Sequence, residues 1–446
     1  MVPHVKKIIT IFFILLLFNT NFHIVSFCTL IPINANCAVP DKVVQVAWNK
    51  YHNYSEVTTV LKNLNETYSE IVRLYSIGKT WENRDIWCIE LSSREETSKP
   101  KPALFIVSYH HARERITIEV ALYIAWFLAT NYATNDTIKE ILEKTVIYII
   151  PALNADGIRA SEINPWQRKN LHPIDEDGDG KFDEDPPNDV DKDGKIYCWW
   201  NATYMGFEGI DDDGDGLINE DWLGGVDLNR NYDFHWNDTN VESGSSDPYS
   251  EVYIGPRPFS ELETRAIKNF VEQHDNIKYA LSFHSGIVGI LYPWGYTQSP
   301  PPDEEEFISL AKSMSEVSGY PYYQSGRLYT CSGEWGDWMY GVHHIFAFTV
   351  EVYGQGYNNT WWTEHVHLID GRAYFYDVWE YFNPPEDEMK TVLEKNLRIT
   401  LFLATKLTFS KNVLPRIILI SVPIISIVVA IMVIVKFRRT RLHQKL

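Results

Sequence analysis

The side chains of this sequence that are best suited to metal chemistry come after runs of apolar residues. His111 and Glu114 follow one such run, and His284 and Glu351 stand at the ends of two others. Two neutral imidazoles and one carboxylate form a catalytic zinc set that leaves one coordination position for water. Glu351 then remains as a base. The residue types and their spacing therefore predict a metal-assisted hydrolytic site.

The apolar runs themselves predict the strands that must position these side chains. They cover residues 72–77, 86–91, 103–108, 145–150, 279–283 and 345–350. Helical spacing predicts helices at 57–64, with Ser55 as candidate N-cap, and at 116–128, and a capping box at Ser260–Glu263 opens another. This alternation favours an α/β fold with a mixed, largely parallel central sheet and helices on both faces. Ligands bind such sheets at the carboxyl ends of the strands, where the four side chains fall.

The motifs around these residues resemble those of the zinc metallocarboxypeptidases of the carboxypeptidase A type, from about Tyr51 to Leu403. The family's zinc motif, His-Xaa-Arg-Glu followed after one residue by Ile-Thr, is matched at 111–117, and the third ligand matches His284 in a His-Ser pair. The resemblance implies one catalytic zinc on His111, Glu114 and His284. It also implies that Glu351 takes a proton from the attacking water and passes it to the leaving amine.

The same resemblance assigns substrate-binding roles to residues outside the zinc motif. It implies that Arg168 polarises the scissile carbonyl and that Arg113 binds substrate. It also implies that the pair Asn229 and Arg230, with the mobile Tyr329, holds the terminal carboxylate. Taken singly, the arginines are as typical of surface ion pairs. Together they predict an exopeptidase that acts on peptide or protein C-termini.

In the resembling family, the residue that selects the terminal side chain stands just before an Asp-Trp pair, which is Gly336 here. Glycine offers neither charge nor bulk, so we expect a roomy pocket that accepts apolar and aromatic side chains first. Glu334 is close enough in sequence to add a secondary activity on terminal Lys or Arg. A solvated or ion-paired glutamate is the plainer alternative.

Residues 171–226 form an acidic insert that departs from the shorter family pattern. Carboxylates at loop positions one, three and five with glycine at six recur from Asp175, Asp189 and Asp211, as in calcium loops, although the glutamate at position twelve is missing. We expect two or more structural calcium ions, and a merely solvated acidic loop is the alternative. The candidate ligands are Asp175, Asp177, Asp179, Asp183, Asp185, Asp189, Asp191, Asp193, Asp211, Asp213, Asp215 and Asp221.

The ends of the chain predict export and membrane anchoring. Residues 1–28 read as a signal peptide, and residues 417–435 as a single transmembrane helix followed by a basic cytoplasmic tail at 436–446. A buried core helix is the alternative for the second run. A catalytic domain at 47–407 and a linker at 408–416 would then lie outside the cell, anchored to the cell membrane by the single helix. Six glycosylation sequons agree, at Asn53, Asn65, Asn135, Asn201, Asn237 and Asn358.

Charge and cysteine content limit the partners and the compartment. The net charge of −19 argues against a nucleic-acid partner, because phosphate binding needs a basic surface. Four cysteines, Cys37, Cys88, Cys198 and Cys331, remain after signal removal, so disulfides are expected, with three connectivities open. Two other functions stay open: a catalytically silent, calcium-binding peptide-binding or adhesion ectodomain, and a cell-wall peptidase of the same fold.

Overall fold

The computed structural model describes the chain from Val44 to Phe409, except for short gaps. The gaps are residues 96, 98, 176–178, 184, 191, 193–195, 197, 201–204, 215, 217, 220–223, 355–365, 370–371 and 376–377. The predicted signal peptide, the linker beyond Phe409, the transmembrane helix and the basic tail lie outside the described residues, and so does Cys37.

A mixed central sheet carries the fold. Its strands are β1 (Val72–Lys79), β2 (Asp85–Leu91), β3 (Ala103–Ser108), β4 (Val146–Ile150), β7 (Ile277–His284), β8 (Val288–Tyr292), β9 (Tyr322–Gln324) and β10 (Phe346–Val352). They lie side by side in the order β1-β2-β4-β3-β7-β10-β8-β9. The central four, β4-β3-β7-β10, run parallel, whereas β1, β2 and β8 pair antiparallel with their neighbours. The predicted mixed α/β fold with a largely parallel sheet is therefore confirmed.

Alternate residues of the central strands build two separate cores, one on each face of the sheet. On β3, Leu104 and Ile106 belong to one core, whereas Phe105 and Val107 belong to the other. Every residue of this strand is buried, which explains its uninterrupted apolar sequence. Each buried large apolar side chain contributes about 1.5–3 kcal/mol to folding.

Helices cover both faces, as predicted. The first core packs against α1 (Tyr54–Thr67), α2 (Ile116–Asn131), α3 (Asp136–Lys144), α6 (Glu304–Ser318) and α9 (Met389–Thr408). The second packs against α5 (Leu262–Glu272) and α7 (Trp335–His343). Two shorter helices, α4 (Gly157–Ile163) and α8 (Trp379–Phe382), complete the described helical structure.

Two helix starts differ from the sequence prediction. Helix α1 is capped by Asn53, not Ser55. The Asn53 side chain accepts from Glu56 N, and the Glu56 carboxylate accepts from Asn53 N. The capping box expected at Ser260–Glu263 does not form, because Glu261 is the N-cap and its side chain makes no cap hydrogen bond. Its carboxylate accepts instead from Ser260 Oγ, Trp81 Nε1 and Asn170 Nδ2. Hydrogen bonds to residues distant in sequence, Trp81 and Asn170, thus replace the local capping box.

The acidic insert begins and ends at one place on the domain. Asn170 N donates to Val226 O at 3.2 Å, and Val226 N donates to Asn170 Oδ1 at 2.8 Å. Within the insert, β5 (Cys198–Trp200) and β6 (Met205–Phe207) join β11 (Val366–Ile369) and β12 (Arg372–Phe375) in a second, antiparallel sheet that the sequence did not predict. The insert is thus held at its root and along one strand edge.

Two further expectations bear on the compartment. Among the described residues, Cys88, Cys198 and Cys331 are free and buried, so the expected disulfides are not formed between them. No single helix in the described part of the chain is long and apolar enough to cross a membrane. Helices α2 and α3 meet those criteria only as a pair, bent by 106°.

Candidate metal centre and active site

The predicted metal ligands converge because two neighbouring strands end at the same edge. His111 and Glu114 lie in the turn between β3 and α2, and His284 is the last residue of β7, which pairs parallel with β3. Tyr109 starts the turn with a left-handed backbone (φ 67°), and its hydroxyl donates to Ala112 O. Non-glycine residues adopt this region only when the surroundings hold them there. The turn reverses the chain tightly enough to bring residues 111 and 114 to the strand end.

His111, Glu114 and His284, here called the ligand triad, place their ligating atoms within 4.8 Å of one another. His111 Nδ1 lies 2.7 Å from Glu114 Oε1, and His284 Nδ1 lies 3.0 Å from Glu114 Oε2. The two Nδ1 atoms are 3.2 Å apart. All three side chains are buried. The structure therefore brings together the three ligands that the sequence predicted.

The outer nitrogens of both imidazoles are already engaged. His111 Nε2 lies 3.1 Å from the Asp227 carboxylate, an acceptor, so this nitrogen carries the proton. His284 Nε2 lies 3.0 Å from Ser282 Oγ, and that hydroxyl lies 3.2 Å from His110 Nδ1. Burial lowers the pKa of His284. With Nε2 engaged on both rings, each Nδ1 atom faces Glu114.

Two imidazole nitrogens and a carboxylate point at one another inside the protein, and Glu114 Oε2 is buried without a hydrogen-bond partner. A cation held among these three groups would satisfy that oxygen. Two imidazole nitrogens and a carboxylate oxygen are the donor set of catalytic zinc, and an outer partner on each histidine is typical of such sites. The residues present therefore fit a zinc ion.

The candidate base lies beside this triad on the next strand. Glu351 of β10 is in register with His284 of β7, so both side chains leave the sheet at the same level. Burial and the nearby Glu114 carboxylate raise the pKa of Glu351, and Arg168 opposes that rise. Glu351 Oε2 is buried and has no protein hydrogen-bond partner. An oxygen in this state is available to a water molecule or a substrate.

Arg168 is bound to the triad through one carboxylate. Its Nε and Nη2 both lie 2.9 Å from Asp227 Oδ2, while Asp227 Oδ1 meets His111. Burial alone would raise the pKa of Asp227, but Arg168, His111 and Arg230 outweigh burial and hold it well below its usual range. The neighbouring Lys169 donates to Pro248 O instead. The geometry therefore agrees with the choice of Arg168 for the site.

Asn229, Arg230 and Tyr329, here called the carboxylate clamp, also lie together. Asn229 and Arg230 form a short 3-10 turn directly after Asp227, and the Arg230 guanidinium bonds to Ser243 Oγ, Asn229 O and Tyr329. Tyr329 is 37% exposed, whereas Arg230 is buried. A buried guanidinium reached past an exposed tyrosine suits a planar carboxylate.

The remaining predicted substrate residues have close partners. Arg113 Nη1 lies 3.1 Å from Glu251 Oε1, and its guanidinium stacks 4.5 Å from the centre of the Phe382 ring. Gly336 is buried in α7, and a Cβ added there would lie 3.0 Å from Glu334 Oε2. Arg113 is thus held in place by an ion pair, and Gly336 lies against a carboxylate.

Sequence reasoning gave no role to the residues behind the ligands. Asp227 orients His111, and a chain from Ser282 through His110 to Tyr232 supports His284. Strand alternation could have found Ser282, since it is two residues before His284 and so shares its face. The Asp227 contact crosses 116 residues of sequence, and no local pattern predicts it.

A family model described as zinc carboxypeptidase matches residues 57–399. The chain belongs to this family. Among curated relatives, mouse (Mus musculus) carboxypeptidase A4 is 27% identical over 70% of this chain and 64% of its own length. The zinc carboxypeptidase of Saccharothrix mutabilis subsp. capreolus is 32% identical over 68% of this chain and 62% of its own length. The match thus spans less than two thirds of each of these two relatives.

Solved structures of family members share the fold with this zinc carboxypeptidase chain. Thrombin-activatable fibrinolysis inhibitor has a TM-score of 0.62 at 21% identity, over 84% of this chain and 79% of its own. Carboxypeptidase A from Helicoverpa armigera has a TM-score of 0.59 at 19% identity, over 87% of this chain and 80% of its own. These likenesses extend to the fold alone.

Two loops of the acidic insert share one hydrogen bond and one glycine conformation among their described residues. Gly180 N donates to Asp175 Oδ2 at 3.0 Å, and 36 positions later Gly216 N donates to Asp211 Oδ2 at 3.1 Å. Both glycines have positive φ angles, 96° and 97°. Local sequence repetition has produced local structural repetition.

A buried carboxylate joins these two loops. Asp185 accepts from Asp212 N and Asn219 N of the second loop, at 3.0 and 2.9 Å. Asp177, Asp191, Asp193, Asp215 and Asp221 lie outside the described residues. Among the described ones, the ligand triad is the one set of three or more groups close enough to hold a metal ion.

Proposed function

We propose that this chain is a zinc metallocarboxypeptidase that removes single residues from the C-termini of peptides and proteins. The observation that carries the proposal is the convergence of two imidazole nitrogens and a carboxylate at the end of β3 and β7. The family membership and the names of the relatives support the same activity.

Zinc, when bound to the ligand triad, supplies a Lewis acid that polarises a carbonyl group and acidifies water. Glu351 accepts the proton of the attacking water and delivers it to the leaving amine. Arg168, 2.9 Å from Asp227, holds its positive charge where the scissile carbonyl oxygen becomes negative. Removal of such a donor typically costs about 10²- to 10³-fold in rate.

The carboxylate clamp makes the enzyme an exopeptidase. Arg230 is buried and fixed by Ser243 and Asn229 O, so its charge is oriented before substrate arrives. A substrate without a terminal carboxylate leaves that buried charge without an anion, which costs binding energy.

The test compares free-acid and C-terminally amidated forms of one peptide by mass spectrometry. We expect stepwise loss from the free acid and resistance of the amide. Arg230→Gln should reduce cleavage of the free acid and so reduce the difference in cleavage rate between the free acid and the amide. Equal cleavage of both forms would remove the exopeptidase assignment. No product from either form would favour a silent binding ectodomain, and cleavage only of non-α amide bonds would favour a cell-wall peptidase.

The enzyme would act outside the cell from a membrane anchor. The support comes from the sequence: the charged and apolar start at 1–28, the uncharged apolar run at 417–435 with its basic flank, and the six sequons. Protease treatment of intact cells should release the catalytic domain, and a glycosidase should increase its mobility on a gel. A full-length protein that stays protected in intact cells would contradict this location.

Calcium would stabilise the acidic insert. The support is the equivalent geometry of the loops at Asp175 and Asp211, in which a position-one carboxylate accepts from the position-six glycine. Lys181 already lies between the loops, 2.7 Å from Asp179 and 3.3 Å from Asp213, and neutralises part of their charge. Extracellular calcium modules bind weakly, with dissociation constants of roughly 10⁻⁴–10⁻³ M. Millimolar calcium is therefore the range to test.

A further inference from the structure

A buried glutamate lies next to the carboxylate clamp. Glu334 is 6% exposed, and its neighbours along the chain contact the carboxylate clamp. Trp335 N donates to Asn229 Oδ1 at 3.0 Å, and a Cβ added at Gly333 would lie 2.2 Å from Arg230 O. The segment that contains Glu334 thus packs directly against the residues assigned to the substrate's terminal carboxylate.

The same glutamate also contacts the strand that carries the base. Thr349 Oγ1 donates to Glu334 Oε1 at 3.1 Å. Thr349 and Glu351 are two residues apart on β10, so their side chains lie on one face of the sheet. Glu334 therefore contacts the strand that carries the base, and the next residue along the chain contacts the carboxylate clamp. A peptide whose terminal carboxylate is held by the clamp would place its last side chain near this group.

Gly336 leaves this carboxylate uncovered. A Cβ added at Gly336 would lie 3.0 Å from Glu334 Oε2 and 3.3 Å from Oε1. A larger residue at 336 would crowd the carboxylate, whereas glycine places no side chain against it.

The carboxylate lacks a cation in the protein itself. Glu334 Oε2 accepts from Asp337 N, and the Asp337 carboxyl group accepts from Gly295 N and Tyr296 N. Burial and Glu334 raise the pKa of Asp337 well above its usual range. Within the described part of the chain, no Lys or Arg forms an ion pair with either. A buried charge without a partner is unfavourable, and a ligand's cation would compensate it.

We propose that Glu334 determines specificity by binding the cationic side chain of a C-terminal Arg or Lys. This rests on the proposed function and reverses the order expected from the sequence, in which apolar and aromatic residues came first. The reversal follows from burial, since the sequence offered a solvated glutamate as the plainer alternative. The planar arginine fork suits a carboxylate that keeps free lone pairs, and lysine reaches it as a point charge.

The experiment measures kcat/KM for four peptides that differ only in a terminal Arg, Lys, Leu or Phe. Wild-type protein should prefer Arg and Lys by about tenfold or more. Glu334→Gln should lower kcat/KM for those two by roughly 30- to 1,000-fold, as expected when a buried charge pair loses one partner, and leave Leu and Phe nearly unchanged. Glu242→Gln is the matched control. Glu242 is an exposed carboxylate whose backbone N–H donates to Thr330 next to Tyr329, and its loss should not alter the ratios.

Each result separates this assignment from the proposed function. A wild-type preference for Leu or Phe, or an Arg preference that survives Glu334→Gln, overturns the role of Glu334 alone. Inactivity of wild-type protein on all four peptides overturns the proposed function and this assignment with it. If Glu334→Gln loses all turnover, competition on wild-type protein decides. Free arginine and lysine should inhibit Phe release more strongly than free leucine, and equal inhibition overturns the assignment.

Discussion

The catalytic centre and the acidic insert both gather carboxylates, but in opposite physical settings. At the centre one carboxylate and two imidazoles are buried, and one oxygen of that carboxylate, Glu114 Oε2, has no hydrogen-bond partner. In the insert seventeen of the chain's 59 acidic residues crowd together, yet the described ones are mostly exposed or half-buried and accept from backbone N–H groups. Water and the loop itself can satisfy the second group, whereas only a cation can satisfy the first. The need for a metal follows from unsatisfied buried acceptors rather than from the number of carboxylates.

The largest expected effect separates metal binding from catalysis at the centre. Glu351→Gln should lower kcat by about 10²- to 10⁴-fold and leave zinc content unchanged, because Glu351 is the base and not a ligand. His111→Ala should lose both zinc and activity. Zinc content is measured by elemental analysis of the purified proteins and kcat with a C-terminal Arg peptide. Near-normal turnover by zinc-loaded Glu351→Gln protein would contradict the mechanism.

The second effect is a pH dependence of stability at the root of the insert. Burial and the adjacent Glu261 raise the pKa of Glu263 to about 8, from 4.5. The unfolded chain then releases a proton that the folded protein keeps. The stabilisation is complete below pH 4.5 and is lost as pH rises to 8, by up to about 1.4 kcal/mol per pH unit.

Urea unfolding at several pH values between 5 and 8 measures this effect. Glu263→Gln should flatten the curve, because the amide does not titrate. A wild-type slope that persists in Glu263→Gln would assign the titration to another group, such as His172, which contacts Glu261 in the same network.

The third expectation concerns the support behind the ligands. Asp227→Asn should weaken zinc binding by about 10- to 100-fold, because the amide orients His111 less firmly and no longer neutralises Arg168. Competition with a chelator measures the affinity. Asp156→Asn is the matched control, since Asp156 is equally buried but bonds to Thr80 and Arg84 away from the centre. An equal loss in both variants would mean general destabilisation.

The smallest expected effect tests the insert. Calcium at ten times its dissociation constant should stabilise the catalytic domain by about 1.4 kcal/mol, with zinc retained. Differential scanning calorimetry with and without a calcium-selective chelator measures the shift. The double variant Asp175→Asn, Asp211→Asn should abolish it. A melting temperature that does not change from micromolar to millimolar calcium would leave the insert as a solvated acidic loop.

Sequence alone predicted what local pattern controls. The bounds of β3 agree residue for residue, because its apolar run is continuous and ends at a polar turn. The ligand triad followed from residue types at strand ends together with the family resemblance of the motif at 111–117 and of the His-Ser pair at His284. The prediction of a capping box at Ser260 was wrong. Asn170 and Trp81, which are distant in sequence, donate hydrogen bonds to the Glu261 carboxylate instead. Likewise, the burial of Glu334 depends on packing against Asn229 and Thr349, which no periodicity encodes.

The pairing of β5 with β12 has a consequence for the order of folding. Trp199 in the insert pairs with Tyr374, so the second sheet joins segments that are far apart in the chain. Contacts of such long sequence separation form slowly, because a large loop must close before they contribute. During synthesis on the ribosome, the insert must wait until most of the chain, including the strand that bears Glu351, has been made. An interrupted translation product would therefore carry an acidic segment without its partner strands, and quality-control factors would meet it in that state.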